Sequence, residues 1–433
     1  MAQGTDPVPG TITDQLIAFM RKPVPADAAA MMSLSLFDWA ACGIAGSREV
    51  EFEEFASAQR RLGPGQSSVF GGGLVPAATA ALVNGTLSHA LDYDDTHFAH
   101  IGHPSVAVVP AVLALGQELH ADLEMVIEAA TIGVEASILV GMWLGRTHYQ
   151  VGYHQTATAG AFGATVGACR LLDLDADQAR AALGLCASMA SGLKSQFGTM
   201  AKPLNAGLAA RTGVEAALWA QGGMTAAPDG LAGSLGFGPT HHGEAAEVSL
   251  PGKRWRILEI SHKFHACCHG LHAMLEALNG AGLDPEAIKS LTIRTHPRWM
   301  TVCNIAEPKT GLAAKFSYAQ TCAMAILGHE TGVISNFTDD ITRDPAVARL
   351  RGCVVVRADD RLTETQTEVS VTLQNGAMRR LRHDLMAPMT LEARAAKLQS
   401  KACALVGDTG AQAIWEAIQN GRLRVFTDQL VKS

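Results

Sequence analysis

The stretch His89-Ala-Leu-Asp-Tyr-Asp-Asp-Thr-His97, running on through His100 to His103-Pro104, constrains this chain more than any other. It crowds His89, His97, His100 and His103 beside Asp92, Asp94, Asp95 and Thr96, between segments apolar enough to be buried helices. Carboxylates and imidazoles packed among apolar helices push one another's pKa values apart, which is how a fold acquires an acid and a base near neutral pH. A plainer reading has Asp92 capping the preceding helix, Asp94 and Asp95 in a solvated turn, and His103-Pro104 opening the next helix.

The flanking pattern predicts mostly helix up to about Gln221. Thr11-Ile-Thr-Asp14 has the form of a capping box, and Ala28 to Ile44 is apolar on almost every face. Pro76 to Leu91, Ser105 to Leu119, Leu123 to Leu144, Thr156 to Leu172 and Asp177 to Leu193 repeat the helical pattern. The texture changes after about Pro251. Lys289 to Thr295 and Glu368 to Leu373 alternate, Cys353 to Arg357 is a short apolar run, and Asn375-Gly376 before a basic 378–383 run is a hairpin signal. Helical segments are expected near His265 to Leu278, Leu312 to Leu327, Leu391 to Val406 and Gly410 to Ile418. The resulting expectation is a mainly α chain, with a helical domain over 1–250 and 390–433 and a smaller α+β domain over 251–389.

Several function classes are disfavoured. A net charge of −7 supplies no basic field for nucleic acid or an anionic membrane surface. Nine cysteines without a CxxC pair read as reduced thiols, and the first residues carry neither a basic n-region nor an apolar h-region, so a cytoplasmic setting is expected. Pro110, Glu124, Glu128 and Glu135 interrupt the most apolar stretches, which argues against a membrane span. Gly71-Gly72-Gly73 opens no βαβ unit and lacks the P-loop lysine, while Gly160, Gly163 and Gly167 share one helix side and read as close helix packing. No Gly-x-Ser-x-Gly elbow occurs.

Other polar points interrupt apolar segments. Tyr153-His154-Gln155 precedes a helix of small residues, and Lys202 stands before an Ala-rich helix whose N-terminus adds partial positive charge. Lys263-Phe-His265-Ala-Cys267-Cys268-His269-Gly-Leu-His272 offers zinc-type donors, as do His97, His100 and His103, but neither has paired CxxC or HxxxH spacing. Acid–base chemistry without a cofactor is what remains. Each of His154 and Lys202 alone also fits a bland role, as a capping histidine and a solvated loop lysine.

In order, His89-Ala-Leu-Asp-Tyr-Asp-Asp-Thr96, His103-Pro-Ser105, Gly152-Tyr-His154, Gly198-Thr-Met-Ala-Lys202-Pro-Leu204, Lys263-Phe-His-Ala-Cys-Cys268 and Thr310-Gly-Leu-Ala-Ala-Lys-Phe-Ser317 resemble the motifs of the MmgE/PrpD family over almost the whole chain. Known activities there include 2-methylcitrate dehydratase, cis-aconitate decarboxylase and iminodisuccinate epimerase. The resemblance implies a helical domain built from both chain ends, an inserted α+β lid, a cleft site between them, usually a homodimer, and neither metal nor organic cofactor. It implies a lyase acting on a small di- or tricarboxylate, with a two-base epimerase as the alternative and a non-catalytic carboxylate binder as a third reading.

The resemblance also assigns roles. His103 and His154 would form the proton-transfer pair, Asp92 would orient them or act as a second base, and Lys202 with Thr96 would bind carboxylate. Lys263, Cys268 and His269 would add substrate contacts. If 92–96 is helical, Asp92 and Thr96 lie one turn apart and share a face. Two positions depart from the family pattern: Cys268 stands where a decarboxylase would carry histidine, and Asn205 where many members have histidine after Lys-Pro-Leu.

Overall fold

Helix Ile12–Met20 starts where the sequence sets its cap: the Thr11 hydroxyl accepts from the Asp14 N–H, and the Asp14 carboxylate accepts from the Thr11 N–H. The computed structural model describes residues 10–252 and 254–431. The leader-free reading of the first residues lies largely outside them. The chain forms two compact units, one of residues 1–262 with 406–433 and one of residues 263–405.

The first unit is a stack of helices: Ala26–Gly46, Ala77–His89, Ser105–Glu118, Leu123–Gln150, Gln155–Leu171, Ala176–Met189 and Ala201–Gln221. It is not wholly helical, because Ser67–Ser68 and Leu74–Val75 pair as a short antiparallel ribbon. From the C-terminal segment, Trp415 sets its ring edge-on to Phe37 at 5.3 Å, and helix Leu423–Leu430 buries Leu423, Phe426 and Leu430. The expected end at Leu144 corresponds to a break at Gly145 (φ 72°), beyond which the helix resumes to Gln150.

Helices Ala26–Gly46 and Leu123–Gln150 are, against expectation, long and apolar enough to cross a membrane by length and composition. Three glutamates in a helix of 28 residues leave an apolar window intact. In each, 78% of that window is buried inside the protein, as the core helix of a large bundle also requires.

Small residues bring these helices into backbone contact. A methyl group added at Gly207 would meet the Leu82 carbonyl oxygen at 2.2 Å, and one at Gly85 would meet the Gly207 Cα at 2.8 Å. Helices Ala77–His89 and Ala201–Gln221 therefore touch main chain to main chain. Gly160, Gly163 and Gly167 let Gln155–Leu171 approach the Ala107 methyl, the Gly133 carbonyl and the Val112 side chain. Gly207→Ala should therefore force two core helices apart and cost about 1–3 kcal/mol, because a rigid backbone cannot yield as a side chain can. Urea unfolding of the variant checks this, and an unchanged midpoint contradicts it.

The second unit holds a four-stranded sheet in the order Val354–Ala358, Ile288–Thr295, Gln366–Leu373, Met378–Asp384. The first pairing is parallel and the other two antiparallel. Gly376, at φ 84°, closes the expected Asn-Gly hairpin. The strand Gln366–Leu373 alternates buried and part-exposed, so Val369 and Val371 face the unit's core. The helix expected from His265 is confined to His272–Leu278, and that expected from Leu312 is split into Gly311–Ala314 and Tyr318–Ile326. The Ser317 hydroxyl causes the split by capping the second piece. Helix Leu391–Asn420 breaks at Gly407 (φ 77°).

Candidate active site

Helix Ala77–His89 stops at the crowded stretch, and residues 90–104 are not helical. The expectation that Asp92 and Thr96 lie one helical turn apart is therefore corrected. Asp92 adopts a left-handed backbone (φ 49°), with its N–H on the His89 carbonyl at 3.1 Å. Thr96 pairs as an isolated β-bridge with Ser261, two main-chain bonds of 3.0 and 2.8 Å. This distant pairing displaces helix. Asp94 and Asp95 are 1% and 2% exposed, so the solvated-turn reading also fails.

The loop folds its polar side chains back toward the helix ends. Asp94 lies between two imidazoles, with His89 Nδ1 2.8 Å from Oδ1 and His103 Nδ1 2.8 Å from Oδ2. Asp92 Oδ1 lies 2.8 Å from the Lys202 ammonium and 3.4 Å from His103 Nε2. Lys202 is placed there by the first turn of helix Ala201–Gln221, and the His103 N–H is fixed by the Thr156 hydroxyl at 3.1 Å. His154 caps Gln155–Leu171 in extended conformation, with its N–H on the Gly192 carbonyl. Its ring stacks 6.2 Å from His89 and meets Phe197 edge-on at 4.9 Å, while the Asn205 amide donates to its Nδ1 at 3.3 Å. The His89 and His103 rings are 4.6 Å apart. Asp92, His103, His154 and Lys202 are thus gathered in one mostly buried cluster.

The electrostatics separate the groups. Burial pushes the Asp94 carboxyl up, but the His103 and His89 imidazoles more than offset this and hold it well below the usual range. It is a carboxylate. Burial, reinforced by the charges of His89, Lys202 and His103, holds His154 well below an ordinary histidine despite Asp92. His154 is therefore neutral at pH 7. His103 Nε2 and Nδ1 each face a carboxylate, which favours the doubly protonated ring. A histidine between two carboxylates, a neutral imidazole and a lysine thus stand within one site.

The other two histidines of the stretch are structural. His100 sets Nε2 3.0 Å from the Ser137 hydroxyl and is pushed down to about 3, mainly by burial. His97 donates from Nε2 to the Arg256 carbonyl at 3.2 Å, accepts the His100 N–H on Nδ1, and is pushed down to about 4 by burial. Neither faces a carboxylate of the cluster in the way that His103 does.

Asp95 takes part in stability rather than in the cluster. It accepts from the Ser105 N–H and hydroxyl, and burial, with Asp38 and Asp94 nearby, raises its carboxyl to about 7. Its pKa is thus higher folded than unfolded, so its contribution is fully present below about 4 and is lost as pH rises through about 7. The displacement from 3.8 to about 7 corresponds to roughly 4 kcal/mol. Asp95→Asn does not titrate, so the melting temperature of the variant minus that of the parent should increase steadily from pH 4.5 to 8. Glu135, also raised to about 7, and the depressed His97 and His100 remain in both proteins and cancel in the difference. Calorimetry at several pH values checks this; a flat difference contradicts it.

A metal is conceivable by size alone, since donor atoms of His89, Asp92, Asp94 and His103 lie within 4.8 Å of one another. The donors are, however, committed: both Asp94 oxygens face imidazole Nδ1 atoms and Asp92 faces an ammonium. A dication would have to displace Lys202, so the donor set does not fit one well.

Lys263, Cys268 and His269 belong to the second unit. Lys263 and His269 are buried and Cys268 half-buried, its N–H donating to the Lys315 carbonyl at 2.9 Å. Burial, with Cys268 beside Cys303, pushes the Cys303 and Cys267 thiols well up. His269 and His272 bring their rings to 4.7 Å, and burial with neighbouring cations holds His272 well down.

The expected site set omitted His89, Asp94, Asn205 and Phe197. His89 and Asp94 stood in the crowded stretch itself, five residues apart across a helix end; nothing in the sequence distinguished them from His97 and Asp95. Asn205 and Phe197 flank Lys202 closely and carried no chemical signal of their own.

Comparison with known proteins gives a consistent result. The model of the MmgE/PrpD N-terminal domain matches residues 12–247, and that of the MmgE/PrpD C-terminal domain matches residues 265–422. Cis-aconitate decarboxylase of Aspergillus terreus is 29% identical over 355 residues, covering 74% of this chain and 72% of that protein. The cis-aconitate decarboxylase-like protein oryM of Aspergillus oryzae is 30% identical over 301 residues, 63% of this chain and 62% of its own length. Human cis-aconitate decarboxylase is 27% identical over 327 residues, 70% of this chain and 67% of its own.

Proposed function

The chain belongs to the MmgE/PrpD family, and from that premise we propose that it is a lyase acting on a small di- or tricarboxylate, by loss of carbon dioxide or of water next to a carboxylate. The observation that carries the reading is His103, set between Asp94 and Asp92, with Lys202 on the same Asp92 oxygen. The common task of such reactions is to make or quench a carbanion beside a carboxylate. That intermediate carries charge on the carboxylate oxygens, so the site must supply a cation where charge develops and a proton donor at the carbon.

In decarboxylation the bond from carbon to the leaving carboxylate breaks, and its electron pair stays on the carbon, delocalised into the neighbouring acid. The His103 Nε2–H then protonates that carbon, and the proton is regained from solvent. Lys202 exchanges Asp92 for a substrate carboxylate, and Thr96 adds a hydroxyl. Asp92 orients His103. His154, kept neutral, donates or accepts without adding charge. The contacts of Lys263, Cys268 and His269 with substrate, the lid role of the second unit, a homodimer and a cytoplasmic setting belong to the same proposal and rest on resemblance and composition.

Asn205 and Cys268 each place an uncharged group where the family pattern leads one to expect an imidazole. The test substrates therefore span small di- and tricarboxylates, with cis-aconitate first. NMR in deuterated solvent follows each: loss of carbon dioxide with deuterium taken up at the carbon, or loss of water to give an alkene, supports the lyase. Exchange with inversion and no loss of mass overturns it in favour of an epimerase. Binding without exchange or turnover overturns it in favour of a carboxylate-binding protein.

A further inference from the structure

Asp94 has an imidazole Nδ1 beside each of its two oxygens. An ionised carboxylate can only accept: Oδ1 takes a hydrogen bond from His89 Nδ1 at 2.8 Å, and Oδ2 faces His103 Nδ1 at 2.8 Å as an ion pair off the hydrogen-bond direction, a distance at which that nitrogen too must carry the proton. His89 and His103 therefore both carry hydrogen on Nδ1, and this assignment follows from the chemistry of the carboxylate. In a histidine the hydrogen bond made by one nitrogen sets what the other can do. For His103 the other nitrogen is Nε2, which faces Asp92. For His89 it is a buried Nε2 without a hydrogen-bond partner among the described residues. Leaving a buried nitrogen unsatisfied costs about 1–3 kcal/mol. Apolar packing alone does not require a histidine there.

We propose that Asp94 and His89 are positioning residues for the reaction above: Asp94 fixes His103 with Nδ1–H inward and Nε2 as the reacting nitrogen, and His89 sets how tightly Asp94 holds that ring's proton. By donating to Oδ1, His89 draws charge away from Oδ2 and weakens the pull of Asp94 on His103. Without it the whole carboxylate charge acts on His103, which becomes a more reluctant acid. Neither residue needs to touch substrate. The other ionisable groups that face the pair are Asp92, Asp95 and His100 from the loop, His154 from the start of helix Gln155–Leu171, and Lys202 from helix Ala201–Gln221. All remain in the variants below.

The inference rests on His103 as the acid, but its main test needs no turnover. Imidazole nitrogen NMR on the full-length protein should show Nδ1-protonated signatures for both His89 and His103. A His103 or His89 signature with an unprotonated Nδ1 overturns the proposal, even if every variant fails to fold. His89→Phe removes the donor and should raise the NMR titration midpoint of His103 by about one pH unit, tenfold in its proton equilibrium. His89→Asn, whose amide nitrogen can occupy the place of Nδ1, should restore the midpoint. Equal midpoints in His89→Phe and the parent overturn the role of His89. With a substrate in hand, Asp94→Asn should lower kcat by about 10²-fold at nearly constant KM and displace the limb of the pH–rate profile that reports His103. A loss confined to KM or to melting temperature means that Asp94 is merely structural.

Discussion

Replacing His103 by glutamine should lower kcat by about 10³- to 10⁴-fold on whichever polycarboxylate the protein turns over, with KM changed by less than about fivefold. Glutamine keeps a hydrogen-bond donor near the position of Nε2 but cannot release a proton to carbon. The ground state is thus bound almost as before, while the quenching of the carbanion is lost. Burial makes the demand sharper. The side chain of His103 is 11% exposed, so water has little room to take its place as acid. Steady-state kinetics on the variant, with thermal melting to show that the fold survives, checks this. Turnover within tenfold of the parent removes His103 from the reaction.

Lys202→Met should act on binding and chemistry together, raising KM and lowering kcat for a combined loss of about 10²- to 10³-fold in kcat/KM. The ammonium answers charge that is partly present in the substrate carboxylate and grows as the carbanion forms. Methionine keeps the length and removes the charge. Lys202→Arg is not expected to rescue it, because a planar fork cannot occupy the point position 2.8 Å from the Asp92 oxygen without moving the loop. If Lys202→Met changes only melting temperature, the lysine is a structural partner of Asp92.

Much of this was legible in the sequence where the determinants are local. The Thr11 capping box, the Asn375-Gly376 hairpin and the glycines at 160, 163 and 167 all act within a few residues or along one helix face, and the structure has each as read. The crowded stretch does gather His89, Asp92, Asp94 and His103 into one cluster. What could not be read was which of its histidines meet in the cluster. His97 and His100 look like His89 and His103 in sequence, yet their partners, the Arg256 carbonyl and Ser137, lie far along the chain and make them structural. The same holds for the loop conformation, which depends on Ser261, 165 residues from Thr96.

Asp92 joins two demands in a single residue. A left-handed backbone without glycine admits aspartate and asparagine readily and disfavours longer or branched side chains. Natural drift at this position is therefore steered toward losing the charge while retaining the shape, with asparagine or glycine as the accessible neighbours. Glutamate would keep the charge yet meet a backbone that resists it. With Asp92 in the role proposed above, losing its carboxylate costs the backbone little, so position 92 is a place to look for relatives that keep the fold without the reaction.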